Sequence, residues 1–418
     1  MKRIRTLLIM VFIICLSIGP FYIYSNAAAA KEFPQFYIKK EAGDDKEIRS
    51  LTLSGNLALG GVYEPVTISA SGSRYYSQLS FMDRFKSIFP SNDGLDDYRH
   101  KYRSFMRGKQ NPASFYEDSR FLVFSGLEYK LTNLGMQNCT FTIAQLNKVS
   151  HAESSFQVKV PQDKNYNFIT ISNVQKHDEQ LDVITNNGVS GNQSDTPKTE
   201  IHRYRFDLKY QKLLSDKIIF SAPNSENNMQ NNIHDLNSTN VAATEGYYLF
   251  IKESRSMLQD GGNGEKPEDV NQEIYAYHFT TDTVQKISLP QEMIGKNPDT
   301  PMIYIFHGPM IYSEETDSKG VKVLGYNFEK GKMDKQYTFS IDELDDKTTT
   351  NMEIKNNRIY LLLTNHDLLG NTDILTNYFL VADLESGKLL YKGKIIPKAT
   401  GQNSSSFINN GSLNLQLP

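Results

Sequence analysis

The sequence predicts an all-β chain in which one small antiparallel sheet is repeated. Three observations predict it. Tyr (24) and Phe (23) are plentiful while Trp is absent, and such rings pack well on a pleated surface. Short apolar runs of strand length begin at Phe121, Phe168, Tyr247, Met302 and Ile359, which lie 47, 79, 55 and 57 residues apart. Each is followed by two apolar-rich runs around a polar turn, the pattern of a β-hairpin. The clearest hairpin is Asn377 to Ile396, NYFLVADLESGKLLYKGKII, with Ser386-Gly387 at its turn; Gly supplies the positive φ that a tight turn needs.

The first 30 residues are a different object. Lys2, Arg3 and Arg5 precede an almost wholly apolar stretch from Leu7 to Gly19, Pro20 follows, and Phe21 to Tyr24 extends the run. A basic start, a short apolar core and the small residues Ala27 to Ala30 make a cleavable signal peptide. Thr6 to Tyr24 also supplies 19 residues, close to the roughly 20 of a membrane-spanning helix, so a retained anchor is the second reading. The basic flank keeps the N-terminus inside. Under both readings the remainder is extracytoplasmic, either tethered to the plasma membrane or secreted after cleavage near Ala27–Ala30.

Setting aside Lys2, Arg3 and Arg5 leaves 42 Lys and Arg against 48 Asp and Glu, a net charge of −6. That balance argues against nucleic acid as a partner. Cys139 is the only cysteine outside the apolar segment, so no disulfide is expected within the exported part. At this length a hydrophobic core can carry the fold unaided. Cys139 itself reads as a buried, inert thiol.

Residues 31–47 are short and mixed, with Pro34 and Asp44-Asp45, and read as a spacer. Ile48 to Leu53 and Val66 to Ala70 alternate apolar and polar residues, as strands do. Tyr76 to Gln110 breaks the pattern and predicts a small helical insertion near residues 77–108. Leu79, Met82, Phe85 and Phe89 recur on one helix face. After a breaker at Pro90 to Gly94, Tyr98, Tyr102, Phe105 and Met106 make a second stripe, with Asp96 and Asp97 at its start, where they favour the helix dipole. Arg99, His100, Lys101, Arg103, Arg107 and Lys109 make this insertion locally basic. A solvated face is one reading; a contact to anionic lipid or wall polymer is the other.

From Arg120 onward the two-part unit repeats. Its hairpins are expected at Thr140 to Val160, His202 to Phe220, Tyr275 to Leu289, Val323 to Ile341 and Tyr378 to Ile396. Three share Tyr-x-Phe before the turn, at Tyr204/Phe206, Tyr277/Phe279 and Tyr326/Phe328. Room for a further strand remains at Leu181 to Thr185 and Met310 to Glu314. A unit of about 50 residues with about four strands has the size of a propeller blade. One such sheet cannot bury both faces alone, whereas stacking blades around an axis buries them and leaves short edges.

Over residues 48–418 the pattern therefore resembles β-propellers, and VADLESGKLLYKG is similar to the outer strands of bacterial repeat propellers whose turns read Asp-x-x-x-Gly-Lys. Five internal units span Arg120 to Ile396. Phe407-Ile408, the Asn410-Gly411 turn and Leu413 to Leu417 are expected to join Ile48 to Leu53 and Val66 to Ala70 in a sixth. The expectation is six blades closed by both termini, or seven if Tyr63 to Gln110 holds a blade of its own. No named repeat family fits. There is no Trp for the WD or quinone-dependent types, and Gly-Gly occurs only at Gly60-Gly61 and Gly261-Gly262, too few for kelch repeats.

No strong catalytic motif appears. Gly188-Val-Ser190-Gly191 lacks the spacing of a hydrolase elbow. The eight histidines are scattered singly rather than at zinc-ligand spacing. His307, in His307-Gly-Pro, and His366-Asp367 fall at comparable strand ends of consecutive units, so His307, His366 and Asp367 are the candidate binding-face residues. The acidic turns Asp93/Asp96/Asp97, Glu265/Glu268/Asp269 and Asp342/Glu343/Asp345/Asp346 are the places where calcium would bind, but none has the spacing of a dedicated loop. No cofactor is expected. The function expected is that of an exported, non-enzymatic propeller that binds or scaffolds a protein or polysaccharide at the cell surface. The alternatives are a hydrolase or lyase acting on a polysaccharide or peptide at the propeller axis, and a membrane-anchored sensor.

Overall fold

Strands dominate the computed structural model, which describes residues 10, 34–59, 62–80, 82–84, 95–133, 135–161, 166–190, 196–226, 229–236, 246–256, 270–294, 304–341, 344, 348–364, 377–398 and 413–416. In chain order they are β1 (Phe36–Gly43), β2 (Thr52–Leu59), β3 (Val62–Ser69) and β4 (Gly72–Tyr75), then two short helices, α1 (Asp96–Lys101) and α2 (Arg103–Met106). There follow β5 (Phe115–Glu117), β6 (Phe121–Thr132), β7 (Gly135–Asn147) and β8 (Glu153–Lys159), then β9 (Tyr166–His177), β10 (Gln180–Val189), β11 (Lys198–Asp207) and β12 (Lys212–Pro223). Next come β13 (Ser225–Glu226), β14 (Met229–Asp235), β15 (Tyr247–Ser256), β16 (Val270–His278) and β17 (Thr283–Ile287). The last groups are β18 (Ile305–His307), β19 (Met310–Asp317), β20 (Gly320–Asn327) and β21 (Lys332–Ser340), then β22 (Thr349–Lys355), β23 (Arg358–Thr364), β24 (Asn377–Asp383) and β25 (Leu389–Pro397), and finally β26 (Leu413–Gln416).

From β5 to β25 each group is an antiparallel meander, in which sequence neighbours are also hydrogen-bonded neighbours, whereas β1 pairs not with β2 but with β25. β5 to β8 and β9 to β12 are joined into one eight-stranded sheet through a single pairing, Met136 with Tyr166. The first sheet runs β26-β2-β3-β4, and β26 lies antiparallel to β2 from Thr52↔Gln416 to Gly55↔Leu413. All five hairpins expected from the sequence are present as β7–β8, β11–β12, β16–β17, β20–β21 and β24–β25.

Two compact units divide the chain, one of Met1–Pro90, Glu314–Val323 and Gln336–Pro418, the other of Ser91–Ser313 and Leu324–Lys335. In the second unit, successive sheets share apolar cores. Phe141 and Ile143 of β7 pack with Leu181, Val183, Tyr204 and Phe206. Ile184 and Ile201 pack with Tyr248, Phe250, Tyr277 and Phe279. Leu249, Ile251 and Ile274 pack with Ile311, Leu324 and Phe328. In the first unit, Leu53, Val66 and Ile68 meet Leu362, Phe379, Val381 and Tyr391. Within each unit these meanders bury apolar faces against one another, because such a face cannot remain wet at low cost. The fold is all-β and of the propeller type in its repeating unit.

Two expectations need correction. Residues 36–43, read as spacer, form β1, which pairs antiparallel with β25 from Phe36↔Pro397 to Gly43↔Tyr391. Lys39, Lys40 and Glu41 hid it from a hydropathy reading, but Phe36 is buried and its N–H donates to Ser73 Oγ at 2.8 Å. Ile48 closes a 3₁₀ turn, and the strand expected at Ile48 to Leu53 begins at Thr52. The helical insertion is described as helix at residues 82–84, in the six residues of α1 and in the four of α2, while residues 81 and 85–94 lie outside the described residues. Residues 1–9 and 11–33, with the signal or anchor reading, lie outside the described residues. No described helix is long and apolar enough to cross a membrane.

Candidate functional site

Successive residues of a strand point to opposite faces, and β11 carries charge on both. On one face stand Glu200, His202 and Tyr204. Glu200 and His202 are almost fully buried. His202 Nε2 meets Glu200 Oε2 at 3.0 Å and Nδ1 meets Asp216 Oδ1 of β12 at 2.8 Å. Lys198 Nζ reaches Glu200 Oε1 at 2.9 Å. The imidazole is thus held edge-on between two carboxylates, and its ring stacks on Tyr204, centroids 5.5 Å apart. Burial pushes the Tyr204 phenol far up, so it stays a neutral hydrogen-bonding group.

The other face carries Arg203 and Arg205. Arg205 is bidentate on Asp182 of β10, with 2.7 and 2.8 Å contacts. Arg203 Nη1 donates to Tyr277 Oη at 2.7 Å and lies 3.0 Å from Asp282 Oδ1. Lys217 Nζ is 2.9 Å from Asp282 Oδ2. Burial works against ionisation of Asp282, but the Lys217 and Tyr277 hydrogen bonds and the Arg203 charge hold its carboxyl below the usual range. These groups neutralise one another. They fasten β11 to its neighbours.

The outward-facing charge sits on α1 and α2. Leu95, Tyr102, Phe105 and Met106 pack against Phe115, Leu122, Ala144 and Leu146, which turns the remaining side chains to solvent. Tyr98 Oη donates to Glu117 Oε2 at 2.5 Å, and Ser104 Oγ to Glu153 Oε1 at 2.7 Å, so the pair of helices is tied to β5 and β8. Lys109 Nζ lies 4.2 Å from the Phe105 ring centroid and 5.3 Å from that of Phe124; burial lowers its pKa, with Glu153 opposing. Arg99 pairs with Asp96 at 3.2 Å. His100, Lys101, Arg103 and Arg107 are exposed. The side chains of Arg103 and Arg107 make no hydrogen bond or ion pair among the described residues.

Glu314 lies on β19. Burial pushes its carboxyl up to about 7, against the pull of its own backbone hydrogen bond. Its Oε2 has no hydrogen-bond partner among the described residues.

His307 is exposed at the end of β18, paired across the turn with Met310. The other two candidate binding-face residues, His366 and Asp367, lie outside the described residues. Of the acidic turns, Asp96 and Asp97 are exposed on α1; Asp93 and the other two clusters fall outside the described residues. Among the described residues no group of three His, Cys, Asp or Glu side chains is placed to hold a metal. Cys139 is buried and its thiol is pushed up by burial. Sequence reasoning missed the β11 networks. Their signal was present in Glu200-Ile-His202-Arg203-Tyr-Arg205, a strand with charge on both faces, which demands partners on both.

No family model and no curated protein matches the chain. Among solved structures, an apocarotenoid oxygenase mutant of Synechocystis is 11% identical with a TM-score of 0.34, over 73% of this chain and 63% of that one. A post-proline cleaving enzyme from Rickettsia typhi is 12% identical with a TM-score of 0.34, over 70% of this chain and 37% of that one. A GH43_1 enzyme from Xanthomonas citri, complexed with xylotriose, is 9% identical with a TM-score of 0.28, over 70% and 88%. The chain spans about 63% of the length of the first of these. Likeness at this level transfers no activity.

Proposed function

We propose that this chain is an extracytoplasmic binding protein that takes an acidic partner at the cell surface on the outward face of α1 and α2. One observation carries the reading. Lys101, Arg103 and Arg107 are exposed within seven residues, on helices whose inner side is fixed by Leu95, Tyr102, Phe105 and Met106. A rigid mount with free cations binds at little ordering cost, and loops and insertions on a packed scaffold are where recognition usually sits. The N-terminal apolar segment supports export. The test is retention of the full-length chain, in neutral detergent, on immobilised heparin. Arg103→Gln/Arg107→Gln should elute at clearly lower salt than the unaltered chain. Equal elution would overturn the reading.

The second reading is a hydrolase, and Glu314 favours it. A carboxyl that keeps its proton up to about pH 7 has the property of a general acid. Glycosidic cleavage needs a second carboxylate about 5–10 Å away. Turnover of a polysaccharide or peptide panel that is lost in Glu314→Gln, with folding intact, would support this reading over the first.

A further inference from the structure

We infer that the partner of the α1–α2 face is a phosphodiester-linked polyanion, a flexible chain with one phosphate per repeat. The inference rests on the binding reading above. Residues 99–109 hold five cations, Arg99, Lys101, Arg103, Arg107 and Lys109, and no acid, on a chain whose exported part carries net negative charge. Arg99, Arg103 and Arg107 follow at four-residue steps, about one helical turn and ~6 Å of rise each. Tyr102 leaves helical geometry at φ −126 and ψ 53. Turn spacing survives on both sides of it, with Tyr102 N–H to Tyr98 O at 2.7 Å and Met106 N–H to Tyr102 O at 2.9 Å.

Two features separate a polymer from a lipid surface. An interfacial helix must offer apolar side chains to the acyl boundary. Here Leu95, Tyr102, Phe105 and Met106 are all consumed by the sheet. The cations are mostly guanidinium groups, whose planar fork takes two oxygens of a phosphate at once. Asp96, Asp97, Glu117 and Glu153 flank the face; Asp96 pairs with Arg99, Glu117 accepts from Tyr98 and Lys148, and Glu153 accepts from Ser104. This acidic border repels a polyanion laid elsewhere and confines it to the exposed cations Lys101, Arg103 and Arg107.

The experiment is equilibrium binding of the full-length chain, in neutral detergent, to fluorescent poly(glycerol phosphate), to polyglutamate, and to vesicles of phosphatidylglycerol with phosphatidylcholine. With three phosphates neutralised, affinity for poly(glycerol phosphate) should fall about 20-fold between 50 and 200 mM salt, and about threefold in Arg103→Gln/Arg107→Gln. Arg103→Lys/Arg107→Lys should keep the salt dependence but bind several-fold more weakly. Equal affinity for polyglutamate, or tighter binding to the vesicles, would overturn the inference and leave the acidic-partner reading standing. No binding to any of the three probes, or binding unchanged in the Gln double variant, would overturn both.

Discussion

Arg205 grips Asp182 through two parallel hydrogen bonds, Nε to Oδ1 at 2.7 Å and Nη2 to Oδ2 at 2.8 Å, across β10 and β11. Asp182 is 1% exposed, and Arg203 Nε also lies 3.8 Å from its Oδ1. The Asp182 hydrogen bond raises the Arg205 pKa, so the guanidinium stays charged. Removing one member of a buried pair leaves the other uncompensated. Asp182→Ala should therefore cost about 3–5 kcal/mol, read as a fall in the urea midpoint.

His202 gives a two-step prediction. His202→Phe removes the partner of the buried Glu200 Oε2 while Lys198 stays on Oε1, and should cost about 3 kcal/mol or more. Glu200→Gln/His202→Phe removes the charge as well as its partner. It should recover part of the loss, because a neutral amide is cheaper to bury than a carboxylate. Denaturant unfolding of both variants checks the order.

Glu314 predicts a pH effect. Its ordinary value is 4.5, and burial pushes it to about 7. Between those limits the unfolded chain has released a proton that the folded chain still holds. Stability must then fall as pH rises from about 4.5 to about 7, by about 3 kcal/mol in all, and level off above. Glu314→Gln should remove this component from a series of unfolding curves measured at pH 4 to 8.

Gly387 tests the last hairpin. Its φ is +67, and a Cβ there would lie 2.0 Å from Tyr337 Cδ1. The Tyr337 hydroxyl donates to Leu384 O at 2.7 Å and is 3.1 Å from Glu385 O, so the ring is pinned over the turn. Gly387→Ala combines the cost of a left-handed non-glycine residue, about 1–2 kcal/mol, with a clash that requires the ring to move. The expected result is a lower melting temperature together with loss of hydrogen-exchange protection at the Leu384 and Gly387 amides, which donate to Asn357 O and Asp383 O across the turn.

Most of the strand pattern was legible because it rests on local signals. Alternation and turn residues announced β7–β8, β11–β12, β16–β17, β20–β21 and β24–β25. β1 was not legible, since its place is secured by a ladder with β25 more than 350 residues away and its own composition is polar. The charged faces of β11 were visible as residues but not as partners: Asp182, Asp216, Tyr277 and Asp282 come from three other strands and a turn. The basic character of α1 and α2 was evident in sequence. What the structure added is which side faces out, decided by the burial of Phe105 and Met106.

The pairing of β26 with β2 has a temporal consequence. β2, β3 and β4 leave the ribosome among the first strands, yet the neighbour that completes their sheet is made last. Until Leu413–Gln416 emerges, the backbone donors and acceptors along one side of β2 have no mate within that sheet. In a nascent chain that edge of β2 stays open, and the zippering of the sheet waits for β26.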